Sequence, residues 1–585
     1  MNKKAVPEGV AFFYAQHFPS EHHRGVVSDE NYFSENSNSR KVILILGNRL
    51  ESIPLTHSSM IYKILRAGVL SALLTIASKS FAQQGIDVHH YDFHMMVNSL
   101  NDSLNATAQI HFLATEDLDQ CTLELVSADE NGGMEVLSVS RLGQSVKFEQ
   151  LKRQLVVDLS LQQGDTASIK VAYRGVPKDG LIIGQNRYGK RTIFGDNWPN
   201  RAHHYLPVVD HPSDKATVNW HILAPEHYEV LANGILKEVR PFGGMYKEWF
   251  FEEKQDIPTK VMVFGAAQLE AWPLEGALPM KGYAYPEDAE HMKQALSVTQ
   301  DVLNFFGEYI APYPFESLWQ SQSTTRYGGM ENAACIFYDE RAVDNPKQME
   351  RLIAHEIAHQ WWGNTVTEVR WNDLWLSEGF ATYFTAMYLE HQYGTPALIA
   401  FMKEGKDKVF NYKKQFPSKV VVPEVVEDPN KMLNKYSYYK GAWVLHMLRQ
   451  EIGDLAFRDG IQQYYQTFAG GNANTEDFVA TMESVSGRSL KSFFYPWLME
   501  AGLPRLSYKV TYDKERKESI VTVRQEQQNL TSFPLELMAI TFEGDKIYFS
   551  EKLSEKEQVF RLAVGEEPNA IKLDPNGHLL FELAE

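Results

Sequence analysis

The sequence is poor in cysteine, in positive charge and in long apolar runs, and each shortage excludes something. Two cysteines among 585 residues, Cys121 and Cys335, cannot build the disulfide framework of a small secreted scaffold. They fall in segments assigned below to different domains and are expected as unpaired structural thiols. No activated Cys/His pair supports a cysteine nucleophile. The formal net charge of -18 argues against a nucleic-acid partner, which needs a basic face to displace counterions. A soluble, self-repelling surface accounts for the excess acid. The apolar run from Ala67 to Ala77 falls well short of the roughly 20 residues that span a bilayer. The mature chain is therefore expected to hold no integral membrane segment.

What is present suits a large soluble globular protein: 44% hydrophobic, 23% charged and 12% aromatic residues. A chain of this length implies several domains, since single cores stop growing beyond roughly 250–300 residues. The stretch from Met60 reads as a secretory signal. Lys63 and Arg66 form a basic start, the apolar run follows, and Ser80-Phe81-Ala82 is a small-x-small cleavage site before Gln83. A periplasmic or secreted enzyme is expected if that signal is used, and a cytoplasmic one otherwise. Residues 1–59 are polar, mostly without pattern, and are read as a leader ahead of the true start.

From Gln83 to about residue 283 the chain alternates apolar and polar positions in short runs, such as "ATAQIHF" (106–112) and "KATVNWHIL" (215–223). That period predicts an all-β domain of antiparallel strands. From 284 to 502 the period is largely helical, with strands expected only within about 316–338. Gly502-Leu503-Pro504 punctuates the end of the helices, and 503–585 return to strand patterning that fits a β-sandwich. The predicted class is multidomain α+β.

One helix carries chemistry. In "RLIAHEIAHQWWGN" (351–364), His355 and His359 stand four residues apart. On a helix that spacing puts both imidazoles on one face, within reach of one ion. Asn345 is a natural N-cap, Pro346 suits the first position, and Gly363 is expected just past the C-terminus. A third ligand, Glu378, follows after eighteen residues (360–377) in the apolar context "WNDLWLSEGFATYF". Unpaired burial of that carboxylate would be costly, and pairing with a cation removes the cost. Two imidazoles and a carboxylate leave zinc an open fourth position, the catalytic arrangement. One Zn2+ per chain is expected. Glu356 is turned about 100° away from His355 around the helix, so it suits a general base that takes a proton from zinc-activated water. Amide hydrolysis follows, with peptides as the substrate class.

The motif "GGMEN" (Gly328, Gly329, Met330, Glu331, Asn332) lies 22 residues (333–354) ahead of His355. With His-Glu-x-x-His and the later glutamate, it resembles the aminopeptidase N-like gluzincins, which include leukotriene hydrolases. The resemblance covers about 83–585. It implies a saddle-shaped β domain, a thermolysin-like catalytic domain and a β-sandwich, without the large helical C-terminal domain many members add. It also implies that Glu331 recognises the free α-ammonium of a peptide through a charge-assisted hydrogen bond. The two glycines would let the substrate backbone approach the strand edge. Tyr438, in "YYKG" (438–441), matches the family's Tyr-x-Lys-Gly and would donate to the tetrahedral oxyanion. Tyr436 and Tyr439 compete with it on residue type alone. The family's Gln or Glu pair from the β domain has no clear counterpart here. Counting back from Pro207 puts Asp196 and Trp198 near those positions, and of the two only Asp196 offers an anion. The function implied is a zinc aminopeptidase acting on peptides with a free N-terminus. The alternatives are a zinc endopeptidase or epoxide hydrolase on the same scaffold, or a non-catalytic peptide-binding module.

Overall fold

The computed structural model describes residues 85–584 and, ahead of them, two short strands, Ile43–Ile45 and Leu50–Ser52, that pair antiparallel. The segment read as an export signal lies outside the described residues. The chain divides at Ala82, and everything below concerns the compact unit that begins at Gln83.

The first half of this unit is β structure. An eight-stranded sheet is centred on the neighbouring strands Lys215–Pro225, Ile86–Met96 and Leu104–Ala114. Alternation explains its two faces. Tyr91, Phe93 and Met95 on one strand and Trp220 and Ile222 on the next are buried, while Asp92, His94 and His221 point to the solvent side. Lys215–Pro225 runs parallel to Ile86–Met96, with His221 opposite His94. A four-stranded and a three-stranded sheet complete this half. Their buried residues join one core, which also holds Phe337, Met330 and Ala333 from the chain beyond.

The helical half is built on a five-stranded sheet ordered Glu270–Pro273, Met280–Ala284, Leu318–Ser323, Cys335–Asp339, Gly329–Met330. Two of these strands, Glu270–Pro273 and Met280–Ala284, fall almost wholly before residue 284, so the last strands expected for the β domain pair instead with the sheet beneath the helices. Periodicity cannot reveal this, because a strand reads alike whichever sheet it joins. A second core takes in the helices and both sheets of the C-terminal segment, Arg505–Asp513 with Glu518–Gln525 and Glu557–Ala563, and Phe533–Ile540 with Lys546–Leu553 and Ala570–Leu573. Cys121 and Cys335 are both buried and unpaired. No helix among the described residues is long and apolar enough to cross a membrane.

Candidate metal centre and substrate cavity

The helix Pro346–Ala358 starts as its sequence dictates: Asn345 Oδ1 accepts from the Gln348 amide at 3.3 Å, and Pro346 takes the first turn. Its end differs from expectation. His359 is itself the C-terminal cap, and Gly363 lies four residues further on at φ +107°, where a Cβ would collide with Ser377 Oγ. That glycine lets the chain fold tightly behind His359. The His359 Nδ1 atom then lies 3.0 Å from the Trp362 carbonyl and 3.1 Å from Ser377 Oγ. Donation from Nδ1–H to the carbonyl leaves Nε2 as the free lone pair.

Glu378 sits on the first turn of Trp375–Tyr393, a helix buried on all sides over most of its length. It is held close to Tyr438 by two glycines. A Cβ on Gly379 would come 3.0 Å from Gly441 Cα, and one on Gly441 would come 3.1 Å from Gly379 Cα. The glycines that follow Glu378 and Lys440 thus permit the wide π-type turn Tyr436–Lys440 to press against the helix. Of the three tyrosines considered, Tyr438 lines the cavity. Tyr436 is buried beneath the Lys440 ammonium, and the Tyr439 hydroxyl is 2.7 Å from Lys408 Nζ.

The three candidate ligands converge. His355 Nε2 and His359 Nε2 are 3.2 Å apart, and Glu378 Oε2 lies 3.5 Å from the first and 3.4 Å from the second. Donors about 2.0–2.1 Å from a tetrahedral zinc stand roughly 3.3 Å apart, so the spacing fits a single ion. Glu378 Oε2 is sealed from solvent and makes no hydrogen bond. The electrostatics also fit a cation. Burial and the neighbouring carboxylates of Glu331 and Glu378 push Glu356 well above its usual pKa. Burial likewise raises Glu331, with Glu378 adding to it. At His359 the opposing effect of burial is overcome by Glu378 and Glu331, and the pKa rises to about 10. Three carboxylates in one sealed space repel one another unless positive charge joins them.

A cavity of about 40 Å³ opens over this cluster, lined by Glu331, Glu356, Tyr438, Met330 and Gly329, and by Trp198, Tyr327 and Leu433. At roughly 10–15 Å³ for each water it holds about three. Glu331 reaches it from the edge strand. Its Oε1 is buried and accepts no hydrogen bond, while its backbone carbonyl accepts from Gln360 Nε2 at 3.1 Å and Asn364 Nδ2 at 2.6 Å. Gln360 and Asn364 thus lock the Glu331 backbone to the turn that follows the helix Pro346–Ala358, a role the sequence reading missed. Its one signal was two buried amides within an otherwise apolar "HQWWGN". Gly329 lines the cavity, and a Cβ there would also occupy the Glu356 carboxylate's position. Gly328 and Asn332 flank the cavity without lining it. Tyr438 stacks on His355 with rings 6.0 Å apart, and burial first, then the surrounding carboxylates, hold its hydroxyl well above the usual pKa, protonated and able to donate.

Asp196 is not brought to this cluster. Its Oδ1 takes a 2.6 Å ion pair from Arg201, and its Oδ2 accepts from the Arg326 amide at 3.2 Å. Both oxygens are committed, so the second anion expected for an ammonium is absent from this residue. Trp198, set aside for want of a charge, is the one of the pair that lines the cavity.

With this geometry in place, comparison with known proteins is informative. Residues 294–497 match the Peptidase family M1 domain and residues 88–261 the Peptidase M1 N-terminal domain. Glutamyl aminopeptidase of Rattus norvegicus is 26% identical over 61% of this chain and 41% of its own length. For probable aminopeptidase 2 of Sulfurisphaera tokodaii the figures are 26%, 65% and 51%. For mitochondrial aminopeptidase 2 of Saccharomyces cerevisiae they are 25%, 78% and 50%. The chain therefore spans about half the length of the curated relatives it matches. The crystal structure of Legionella pneumophila aminopeptidase A in complex with aspartic acid shares the fold, with a TM-score of 0.74 at 16% identity, covering 87% of this chain and 60% of that one.

Proposed function

Because the chain belongs to peptidase family M1, we propose that it is a zinc-dependent aminopeptidase cleaving the N-terminal peptide bond of peptides. One observation carries this reading: the buried, unpartnered carboxylate oxygen of Glu331 faces the same small cavity as the ligand cluster. His355, His359 and Glu378 would hold the zinc. Zinc there supplies Lewis acidity, polarising a carbonyl and lowering the pKa of water. Glu331 takes the peptide's α-ammonium and so fixes the first peptide bond over the cluster. Glu356 Oε removes the proton of the attacking water and returns it to the leaving amine nitrogen. The Tyr438 hydroxyl donates to the carbonyl oxygen as it gains charge. Trp198, Tyr327 and Leu433 narrow the cavity.

One relative above is named for glutamyl substrates and the Legionella structure holds aspartic acid, but the lining of this cavity offers no cation to an acidic side chain. Nearby Arg201 and Arg326 are already paired with Asp196 and Asp179. The preferred N-terminal residue is accordingly neutral and apolar. If the signal read at Met60 is used, the enzyme is periplasmic or secreted, and otherwise cytoplasmic. A panel of aminoacyl-amides, assayed before and after chelation and zinc restoration, tests the proposal. Activity should be lost to chelator and regained with zinc, and alanyl and leucyl substrates should exceed glutamyl and aspartyl ones by at least about tenfold. Chelator-resistant turnover would contradict the metal role, and a glutamyl preference would contradict the pocket assignment.

A further inference from the structure

The solvent-side face of the eight-stranded sheet carries a second cluster that the peptidase reaction does not use. Alternation along Ile86–Met96 puts Asp92 and His94 on that face. The parallel pairing sets His221 of Lys215–Pro225 directly opposite His94. Asp92 Oδ1 lies 3.2 Å from His94 Nε2 and 3.6 Å from His221 Nε2. That oxygen is shut off from solvent and makes no well-aligned hydrogen bond. The two imidazole rings stack 4.0 Å apart with planes 2° from parallel. On its other side His221 stacks on Phe250 at 4.4 Å, so three rings from three adjacent strands stand in a row.

We propose that Asp92, His94 and His221 form a second metal site, distinct from the peptidase centre, that takes a divalent cation of the zinc class. Two nitrogens and one oxygen are a donor set for zinc or copper(II) rather than for calcium or magnesium, which want oxygen alone. Donors on a tetrahedral zinc stand roughly 3.3 Å apart, close to the two distances from Asp92 and to the 3.2–3.5 Å found at the peptidase cluster. The other nitrogen of His221, Nδ1, lies 4.0 Å from Glu248 Oε1. That separation is beyond hydrogen-bond range and Nδ1 has no partner, so neither ring nitrogen of His221 is committed to another group. His221, with a side chain 16% exposed, is fixed between its ring neighbours, whereas His94, 49% exposed, has room to turn out of the parallel stack and share the ion. The site staples two strands whose ligands stand 127 residues apart (94 and 221) in the chain. An ion bound only in the folded state stabilises that pairing by mass action.

Zinc counting on the full chain tests this. The protein is stripped with chelator, dialysed against a zinc-buffered solution and analysed for metal. The unaltered chain should hold two zinc per chain, and His94→Gln and Asp92→Asn one each, with aminopeptidase kcat/KM unchanged. A His359→Ala chain should still hold one zinc, which His94→Gln in that background removes. This last arm keeps the result independent of the peptidase zinc. Both sheet-face substitutions lie on the solvent side, and coincident thermal unfolding of stripped variant and stripped parent checks that they fold. A single zinc in the unaltered chain, or a second zinc that survives both substitutions, overturns the proposal.

Discussion

The peptidase cluster and the sheet-face cluster have nearly the same inventory, two histidines and a carboxylate whose oxygen lies 3.2–3.6 Å from an imidazole nitrogen of each, yet their settings are opposed. His359 and Glu378 are buried and His355 nearly so, on helices locked by glycine contacts, and the spare nitrogen of His359 faces a carbonyl 3.0 Å away. At the sheet face His94 is half exposed, and the nearest carboxylate to the spare nitrogen of His221 is 4.0 Å off. Its neighbours Glu248 and Arg240 pair with each other on the open sheet face. A metal triad alone therefore does not make an enzyme of this kind. On our proposal the surrounding shell does: Glu356, Glu331 and Tyr438 line one cavity over the cluster, with Gln360 and Asn364 behind them.

Substitutions that treat the two clusters alike should separate them sharply. The largest contrast is between His359→Ala and His94→Gln. The first should lose the peptidase zinc and lower kcat/KM by at least about 10³-fold, while the second leaves turnover within twofold or so of the parent. Metal analysis beside steady-state kinetics reads both. Next comes Glu356→Gln, which keeps the shape but removes the base. Zinc content should stay the same while kcat falls by about 10²–10⁴-fold, and a near-normal rate would remove Glu356 from the mechanism. A smaller loss is expected from Gly329→Ala. The added methyl displaces the Glu356 carboxylate, and misplacement of a catalytic group by about 1 Å costs about 10²-fold. If kcat is unchanged and KM rises instead, the glycine serves substrate approach and the steric account is wrong.

The metal helix was legible because its information is local. A four-residue spacing, a cap and a proline fix where His355 and His359 point, and the apolar context of Glu378 announces a buried carboxylate. Strand patterning likewise disclosed the β-rich first half. What stayed hidden depends on contacts between distant segments. Asp196 read as a free anion because nothing in the sequence says that Arg201 and the Arg326 amide consume both its oxygens. Trp198 was dismissed for its chemistry, although its position on the cavity wall is a matter of shape. Gly329 was read for substrate approach, and only the fold shows that a Cβ there would also meet Glu356. The sheet-face histidines stand in ordinary alternating strands, and only the parallel pairing of His94 with His221 brings them together. The strands Glu270–Pro273 and Met280–Ala284 joined the catalytic sheet for the same reason: pairing partners are not encoded in period.

The central claim is that this cavity reads a free amino end through Glu331. The most direct test compares kcat/KM for a dipeptide amide and its N-acetylated twin, in the parent and in Glu331→Gln. Loss of a buried charge pair of this kind costs about 2–5 kcal/mol. The parent should therefore prefer the free amine by at least about 30-fold, and Glu331→Gln should bring the two substrates close to parity. Equal rates on both substrates in the parent protein would contradict the account and make this an endopeptidase.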